Sequence, residues 1–157
     1  MKPDYETYEP ESFLKFSKEY NLAATKLIPF HQDVNSPIYF LFMHSIELSF
    51  KAYLNIGGSF KKKTHSLRDL YEESVRNGFP SIPLIKNVIE LSESMNEFHG
   101  FRYFIFKSSM RPEINYLAEA ANMILELVIK ELDKSPKRKP KSGVVGIVTW
   151  HKPSNKP

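Results

Sequence analysis

Cysteine is absent from this chain of 157 residues. Its absence excludes disulfide bonds, thiolate metal sites and cysteine nucleophiles, and it is typical of intracellular proteins. Residues 1–11 also lack a basic segment followed by an apolar one, so no secretory signal peptide is expected. We therefore expect a cytoplasmic protein whose length suits one domain with a single core.

An uninterrupted apolar run of membrane-spanning length is missing as well. The segment from Ile38 to Ile56 comes nearest to the ~20 apolar residues that a span requires. Glu47 and Lys51 lie within this segment, and charged side chains inside a bilayer are expensive. No membrane partner is therefore expected.

A basic excess is missing from most of the chain, although the formal net charge is +4. From Lys134 onward there are seven basic residues and no acidic residue. Residues 1–133 therefore carry a formal net charge of −3. The body therefore lacks the charge that is typical of nucleic-acid-binding domains. Residues 135–157 are rich in Lys and Pro and are predicted to form a flexible tail, because they cannot bury enough apolar surface to fold alone. Within this tail, Val144 to Trp150 is a short β-prone segment that can pair with a partner's sheet edge or fold back on the body.

The alternation of apolar and polar residues that marks strands is weak, whereas helical spacing recurs through residues 1–134. Proline, glycine and capping residues divide this part of the chain into five predicted helices. They run from about Pro10 to Ile28, Ser36 to Gly57, Ser66 to Gly78, Ser81 to Phe98 and Pro112 to Lys134. Ser36 and Ser66 are the predicted N-caps of the second and third helices, and Pro112 is the predicted opening of the fifth.

Connections of modest length between helices favour antiparallel neighbours. The predicted fold class is therefore all-α, an antiparallel four-helix up-and-down bundle with an additional short helix and a C-terminal tail. The first, second, fourth and fifth helices form the predicted bundle, and the short third helix is added to it. The predicted division is a helical domain over residues 1–134 and a tail over residues 135–157.

The second predicted helix is apolar on nearly every side, yet it carries three ionisable residues in one narrow sector. His44, Glu47 and Lys51 stand at i, i+3 and i+7, which places them on one face of the helix. A helix that is apolar nearly all round is expected to be buried. A buried Glu and Lys need partners, because uncompensated charges in a protein interior are strongly unfavourable. The sector is therefore either a structural ion-pair network or the wall of a polar site.

Two segments of the chain resemble a known family. MHSIELSFKAYL spans Met43 to Leu54, and THSLRDL spans Thr64 to Leu70. They resemble the HEPN superfamily, the higher eukaryotes and prokaryotes nucleotide-binding domains. In that family, a helix with a Glu and a Lys one turn later precedes a loop and a Thr-His-x-Leu segment. The residues of this chain that match are Glu47, Lys51, Thr64, His65 and Leu67, and Arg102 and Tyr103 match a later Arg-Tyr pair of the family.

The resemblance covers roughly residues 13–130. It implies an all-helical bundle, frequent homodimerisation, and roles in prokaryotic defence, toxin and antitoxin systems, nucleotide binding or RNA cleavage. The polar sector of the second helix and this resemblance together give the candidate ligand-binding residues His44, Glu47, Lys51, His65, Arg102 and Tyr103.

One departure from the family bears on catalysis. Ribonuclease members carry an Arg followed, after four to six residues, by a His, and no Arg of this chain is followed in that way. His99 precedes Arg102 instead. A metal-independent ribonuclease needs a base for the 2′-hydroxyl proton and a cation for the phosphorane, so His99 and Arg102 are the candidate catalytic residues.

Three functions are compatible with these patterns. The first is a non-catalytic, HEPN-like domain that binds a nucleotide, RNA or a partner protein such as an antitoxin, as a homodimer. The second is a metal-independent endoribonuclease that uses Arg102 with His99 or His65, and the third is a protein-interaction scaffold. No metal or other cofactor is expected, because no His-x-x-x-His helical pair or comparable ligand spacing occurs.

Overall fold

The computed structural model describes residues 9–58, 64–96 and 111–136, except for the side chains of 94–96. Within these ranges the backbone forms five α-helices, a short 3₁₀ turn and no β-strand. The helices are α1 (Pro10–Leu27), α2 (Asn35–Asn55), α3 (Leu67–Arg76), α4 (Pro83–Asn96) and α5 (Ile114–Lys134). The prediction of an all-α helical bundle is confirmed.

A tight connection joins α1 to α2. The 3₁₀ turn Ile28–Phe30 contains Pro29 and follows α1 directly. Ser17 on α1 then packs against Ser45 and Ser49 on α2, and its Oγ lies 3.0 Å and 2.6 Å from their hydroxyl oxygens. Three small side chains in one seam let the helices approach closely. Their hydroxyls can be buried there because each has a hydrogen-bond partner among the three. The two helices form an antiparallel hairpin.

Helix α2 lies at the centre of the structure and packs against α1, α3 and α5. Its fully buried side chains include Ile38, Phe42, Ile46 and Phe50. Side chains are buried on several sides of this helix, as its near-uniform apolar character predicts. The predicted burial of the second helix is confirmed.

Helices α3 and α4 form a second antiparallel hairpin, in which the start of α3 contacts the end of α4. The Oγ of Ser66 lies 2.9 Å from a Glu93 oxygen, and the Tyr71 hydroxyl lies 3.4 Å from the Ser81 hydroxyl. Leu67 and Leu70 are almost completely buried in the common core. The short helix is therefore an integral part of the core.

Helix α5 runs in the same direction as α2. The Tyr39 hydroxyl, near the start of α2, donates a 2.6 Å hydrogen bond to the carbonyl of Pro112, just before α5. At the other end, Ile56 and Leu132 line the same shallow cleft. Helix α3 also runs with α2, because its start lies by Glu47 and its end lies by Tyr53, whose hydroxyl donates to the Asn77 carbonyl at 3.1 Å. Helix α4 is antiparallel to α3, so the directions of α1, α2, α4 and α5 alternate along the chain, as an up-and-down arrangement requires.

The helix starts show which capping predictions hold. Ser66 is the N-cap of α3, and its side chain accepts a hydrogen bond from the Asp69 amide. Ser36 is not a cap, because α2 already begins at Asn35. The turn before it is closed by the Val34 amide, which donates to the Phe30 carbonyl. Pro37 therefore stands in the first turn, where no amide hydrogen is needed.

The start of α5 also differs from the prediction. Pro112 precedes the helix, and Glu113 is the N-cap, since its carboxylate accepts from the amides of Asn115 and Tyr116. A carboxylate at this position satisfies amides of the first turn and is favourable beside the positive end of the helix dipole.

Candidate functional site

The candidate site is built around Glu47 in the middle of α2. Its neighbours along the helix are apolar, so the backbone that carries this carboxylate is fixed by core packing. The Glu47 side chain is 12% exposed, Lys51 16% and His44 27%, whereas His65 is 77% exposed. The four residues, which we call the Glu47 cluster, therefore run from the core to solvent.

Three nitrogen-bearing side chains converge on the Glu47 carboxylate. The Lys51 Nζ donates to Oε1 at 2.6 Å, one turn further along the same helix. The His65 Nδ1 lies 2.9 Å from the same oxygen. The His44 Nδ1 lies 3.7 Å from Oε2, which is longer than a hydrogen bond and is an electrostatic contact. One carboxylate thus organises three potential cations.

The charge state of Glu47 follows from these contacts. Burial alone would raise the pKa of its carboxyl, but the contacts with His44, Lys51 and His65 outweigh burial and lower that pKa to about 2. Glu47 is therefore ionised at neutral pH. Because an ionised carboxylate can only accept hydrogen bonds, the His65 Nδ1 must carry a proton.

Two aromatic side chains, Tyr20 on α1 and Phe40 on α2, pack against His44. The Tyr20 ring meets the His44 ring edge to face, with centroids 4.5 Å apart. The Phe40 ring is stacked against His44, with centroids 5.8 Å apart. These contacts fix the imidazole of His44 and add an aromatic wall to one side of the cluster.

The short segment before α3 brings His65 to α2. The amide of Ser66 donates to the Thr64 hydroxyl at 3.1 Å, and that hydroxyl lies 3.5 Å from an Asp69 carboxylate oxygen. Asp69 thus reaches back to Thr64, where a standard capping box would reach the Ser66 amide. The resulting turn places His65 beside Glu47, although the two residues are 18 positions apart.

A second buried carboxylate, Glu93 on α4, holds the same segment from the other side. Glu93 is 6% exposed. Its Oε1 accepts from the Ser66 hydroxyl at 2.9 Å, and its Oε2 accepts from the Arg68 amide at 3.1 Å. The carboxylate therefore binds the N-terminus of α3, where unpaired amides and the helix dipole favour an anion.

Sequence reasoning missed Glu93, although a signal was present. The core stripe of α4 is Ile85, Val88, Ile89, Ser92 and Glu93. These positions follow the i, i+3, i+4, i+7, i+8 spacing of a buried helix face, so a glutamate at the last of them requires a partner.

Four of the predicted ligand-binding residues lie together: His44, Glu47, Lys51 and His65. The other predicted site residues, His99, Arg102 and Tyr103, lie outside the described residues. The predicted tail beyond residue 136, with the Val144 to Trp150 segment, also lies outside them.

Lys51 balances ionised Glu47, and the imidazoles of His44 and His65 stand nearer to solvent than this pair. Imidazole N–H groups on that side can donate hydrogen bonds to an anionic ligand. In the part of the chain that the structure describes, no group of three or more His, Asp or Glu side chains is arranged to hold a metal ion.

Comparisons with protein-family models, with curated proteins and with solved structures find no match. Within residues 9–58, 64–96 and 111–136, no helix has the combined length and hydropathy of a membrane span.

Proposed function

We propose that this chain is a HEPN-like helical domain that acts by binding, and that the Glu47 cluster receives the phosphate of a nucleotide or of RNA. The observation that carries the proposal is the convergence of Lys51, His44 and His65 on one ionised, buried carboxylate. Their spacing in the sequence is also the part of the chain that resembles the HEPN superfamily.

The gradient of exposure supports a binding role. A purely structural ion pair needs only Glu47 and Lys51, which are both largely buried. His65 adds a third group that is mostly exposed, and its Nδ1 is bound by Glu47, which orients the ring at the surface. A phosphate at this surface would gain charge-assisted hydrogen bonds from protonated imidazoles.

The proposed setting is cytoplasmic and prokaryotic, in defence or in a toxin and antitoxin pair, with the chain acting as a homodimer or with an antitoxin-like protein. This setting rests on the family resemblance.

The binding proposal is tested by calorimetry with AMP, with adenosine and with a short single-stranded RNA. We expect AMP and the RNA to bind and adenosine to bind much more weakly, because it lacks the phosphate. His65→Ala should weaken AMP binding about tenfold, the value of one charge-assisted hydrogen bond. His31→Ala is the matched control, since His31 is an exposed histidine in the turn before α2.

Two results would overturn the proposal. One is the absence of AMP and RNA binding to the natural chain at millimolar concentration. The other is equal loss of affinity in His31→Ala and His65→Ala, which would indicate nonspecific attraction to surface charge.

One observation favours a catalytic alternative. The carboxylate of Glu47 holds the His65 Nδ1, as the orienting acid holds the general base in hydrolytic triads. In a metal-independent endoribonuclease, such an imidazole would take the 2′-hydroxyl proton while a cation stabilises the phosphorane. Cleavage of RNA in the presence of EDTA, lost in His65→Ala and retained in His31→Ala, would establish this alternative. Intact RNA with retained binding would support the non-catalytic proposal.

A further inference from the structure

The position of His65 depends on the segment that carries it. His65 is not part of a helix, and it belongs to the stretch 64–66 that leads into α3. Since its side chain is mostly exposed, core packing of the imidazole contributes little to its placement. The contacts of its chain neighbours therefore contribute to how far the ring stands from Glu47.

Glu93 binds the residues that follow His65. Its two carboxylate oxygens accept from the Ser66 hydroxyl and from the Arg68 amide. The same Ser66 oxygen accepts from the Asp69 amide, so one hydroxyl joins α4 to the first turn of α3. Both bonds lie within three residues of His65 along the chain.

We propose that Glu93 is the positioning residue of the candidate site: by fixing the start of α3, it holds His65 against Glu47. The proposal rests on the proposed function only in that His65 is taken to contact the ligand. It makes α4 part of the site, although no residue of α4 belongs to the Glu47 cluster.

The chemistry of the contact favours a carboxylate. The Arg68 amide can only donate, and the Ser66 hydroxyl, whose oxygen already accepts from the Asp69 amide, donates its hydrogen to Glu93. A glutamine of the same size presents one acceptor and one donor, so with its oxygen on the Arg68 amide it leaves the Ser66 hydroxyl hydrogen without this acceptor. Glu93→Gln should therefore loosen the start of α3 while leaving the apolar packing of α4 in place.

The test is the tautomer of His65, measured by ¹⁵N NMR of its ring nitrogens at about pH 8, where histidine is normally neutral. In the natural chain we expect the Nδ1–H form, because Glu47 accepts from Nδ1. Glu93→Gln should shift His65 towards the Nε2–H form and weaken AMP binding about fivefold, the value of one lost hydrogen bond. Glu47→Gln should also change the tautomer, because it alters the acceptor itself.

Glu90→Gln is the matched control, since Glu90 is an exposed glutamate on the same helix. It should leave the His65 tautomer and AMP binding unchanged. Should Glu93→Gln fail to fold, Glu93→Asp keeps a carboxylate but draws it back by one methylene from the Ser66 hydroxyl and the Arg68 amide, and it should produce a smaller shift in the same direction.

An unchanged His65 tautomer in folded Glu93→Gln, or in folded Glu93→Asp where Glu93→Gln does not fold, would overturn the positioning role. The tautomer is measured without ligand, so the two proposals can fail separately. A tautomer that responds to Glu93→Gln in a chain that binds no AMP would confirm the positioning role and refute the proposed function.

Discussion

Glu47 and Glu93 are both buried glutamates on long helices, but they are stabilised in different ways. Side chains that can carry positive charge converge on Glu47 from α2 and from the segment before α3. Neutral donors at the start of α3 bind Glu93. The comparison separates two uses of a buried carboxylate. One gathers side chains that can carry positive charge between the core and solvent, and the other fixes the backbone that supplies one of those side chains.

The largest expected effect comes from removing the carboxylate that is paired with a charge. Glu47→Ala leaves the Lys51 ammonium, which is largely buried, without its partner. Removing one member of a buried pair costs about 3 to 5 kcal/mol of unfolding free energy. Urea denaturation of the variant and of the natural chain measures this loss. In the double variant Glu47→Ala/Lys51→Met the loss should be smaller than the sum of the two single losses, because the pair is coupled.

A slightly smaller loss of unfolding free energy is expected when the pH is lowered. The Glu47 carboxyl has a pKa of about 2 in the folded protein, against an ordinary value of 4.5. Because folding lowers this pKa, its contribution to stability is fully present above pH 4.5 and is lost as the pH falls towards 2. The loss amounts to about 3 kcal/mol at 1.4 kcal/mol per unit. It is measured as the unfolding free energy across this range.

The control for the pH effect is Glu47→Gln, which has no carboxyl to titrate at this position. Its unfolding free energy should fall less steeply between pH 4.5 and 2 than that of the natural chain. Parallel curves would show that other groups cause the acid sensitivity.

A third effect comes from removing the carboxylate that binds neutral donors. Glu93→Ala leaves the Ser66 hydroxyl and the Arg68 amide without this acceptor. Both donors are neutral, so the variant leaves no buried charge unpaired. Unsatisfied neutral donors cost about 1 to 3 kcal/mol, so we expect about 2 kcal/mol. Hydrogen exchange should show the loss as faster exchange in the first turn of α3. Unchanged exchange there would contradict the role of Glu93.

The smallest effect is expected at the surface pair of Glu73 and Arg76 on α3. Their side chains lie 2.6 Å apart, the same distance as Glu47 and Lys51, but they are 33% and 63% exposed. Exposed pairs contribute little, so Glu73→Ala should change the unfolding free energy by less than about 1 kcal/mol. A loss as large as that of Glu47→Ala would show that distance, rather than burial, sets the strength of these pairs.

The sequence predicts the parts of the structure that depend on local pattern. The all-round apolar character of α2 indicates its burial, and Ser66 is recognisable as a cap because a hydroxyl residue precedes an amphipathic turn. The prediction that Ser36 caps α2 is wrong for a local reason. The helix begins one residue before Ser36, at Asn35, and its N-cap residue is Val34, whose side chain has no hydrogen-bonding group.

Contacts between distant segments are less predictable. His65 meets Glu47 across 18 positions, and in the sequence only the family resemblance predicts that they share one site. Glu93 meets Ser66 across 27 positions. Its place in an apolar stripe indicates a buried partner, but periodicity alone does not identify which segment supplies that partner.

The most direct test of the Glu47 cluster is a ¹³C NMR titration of the Glu47 side-chain carboxyl in the natural chain and in Lys51→Met. The contacts of Glu47 predict a pKa of about 2 in the natural chain and a higher value in the variant, which loses the closest cation. A pKa near 4.5 in the natural chain would contradict this description of the Glu47 cluster. It would mean that Lys51, His44 and His65 do not stabilise the ionised carboxylate of Glu47.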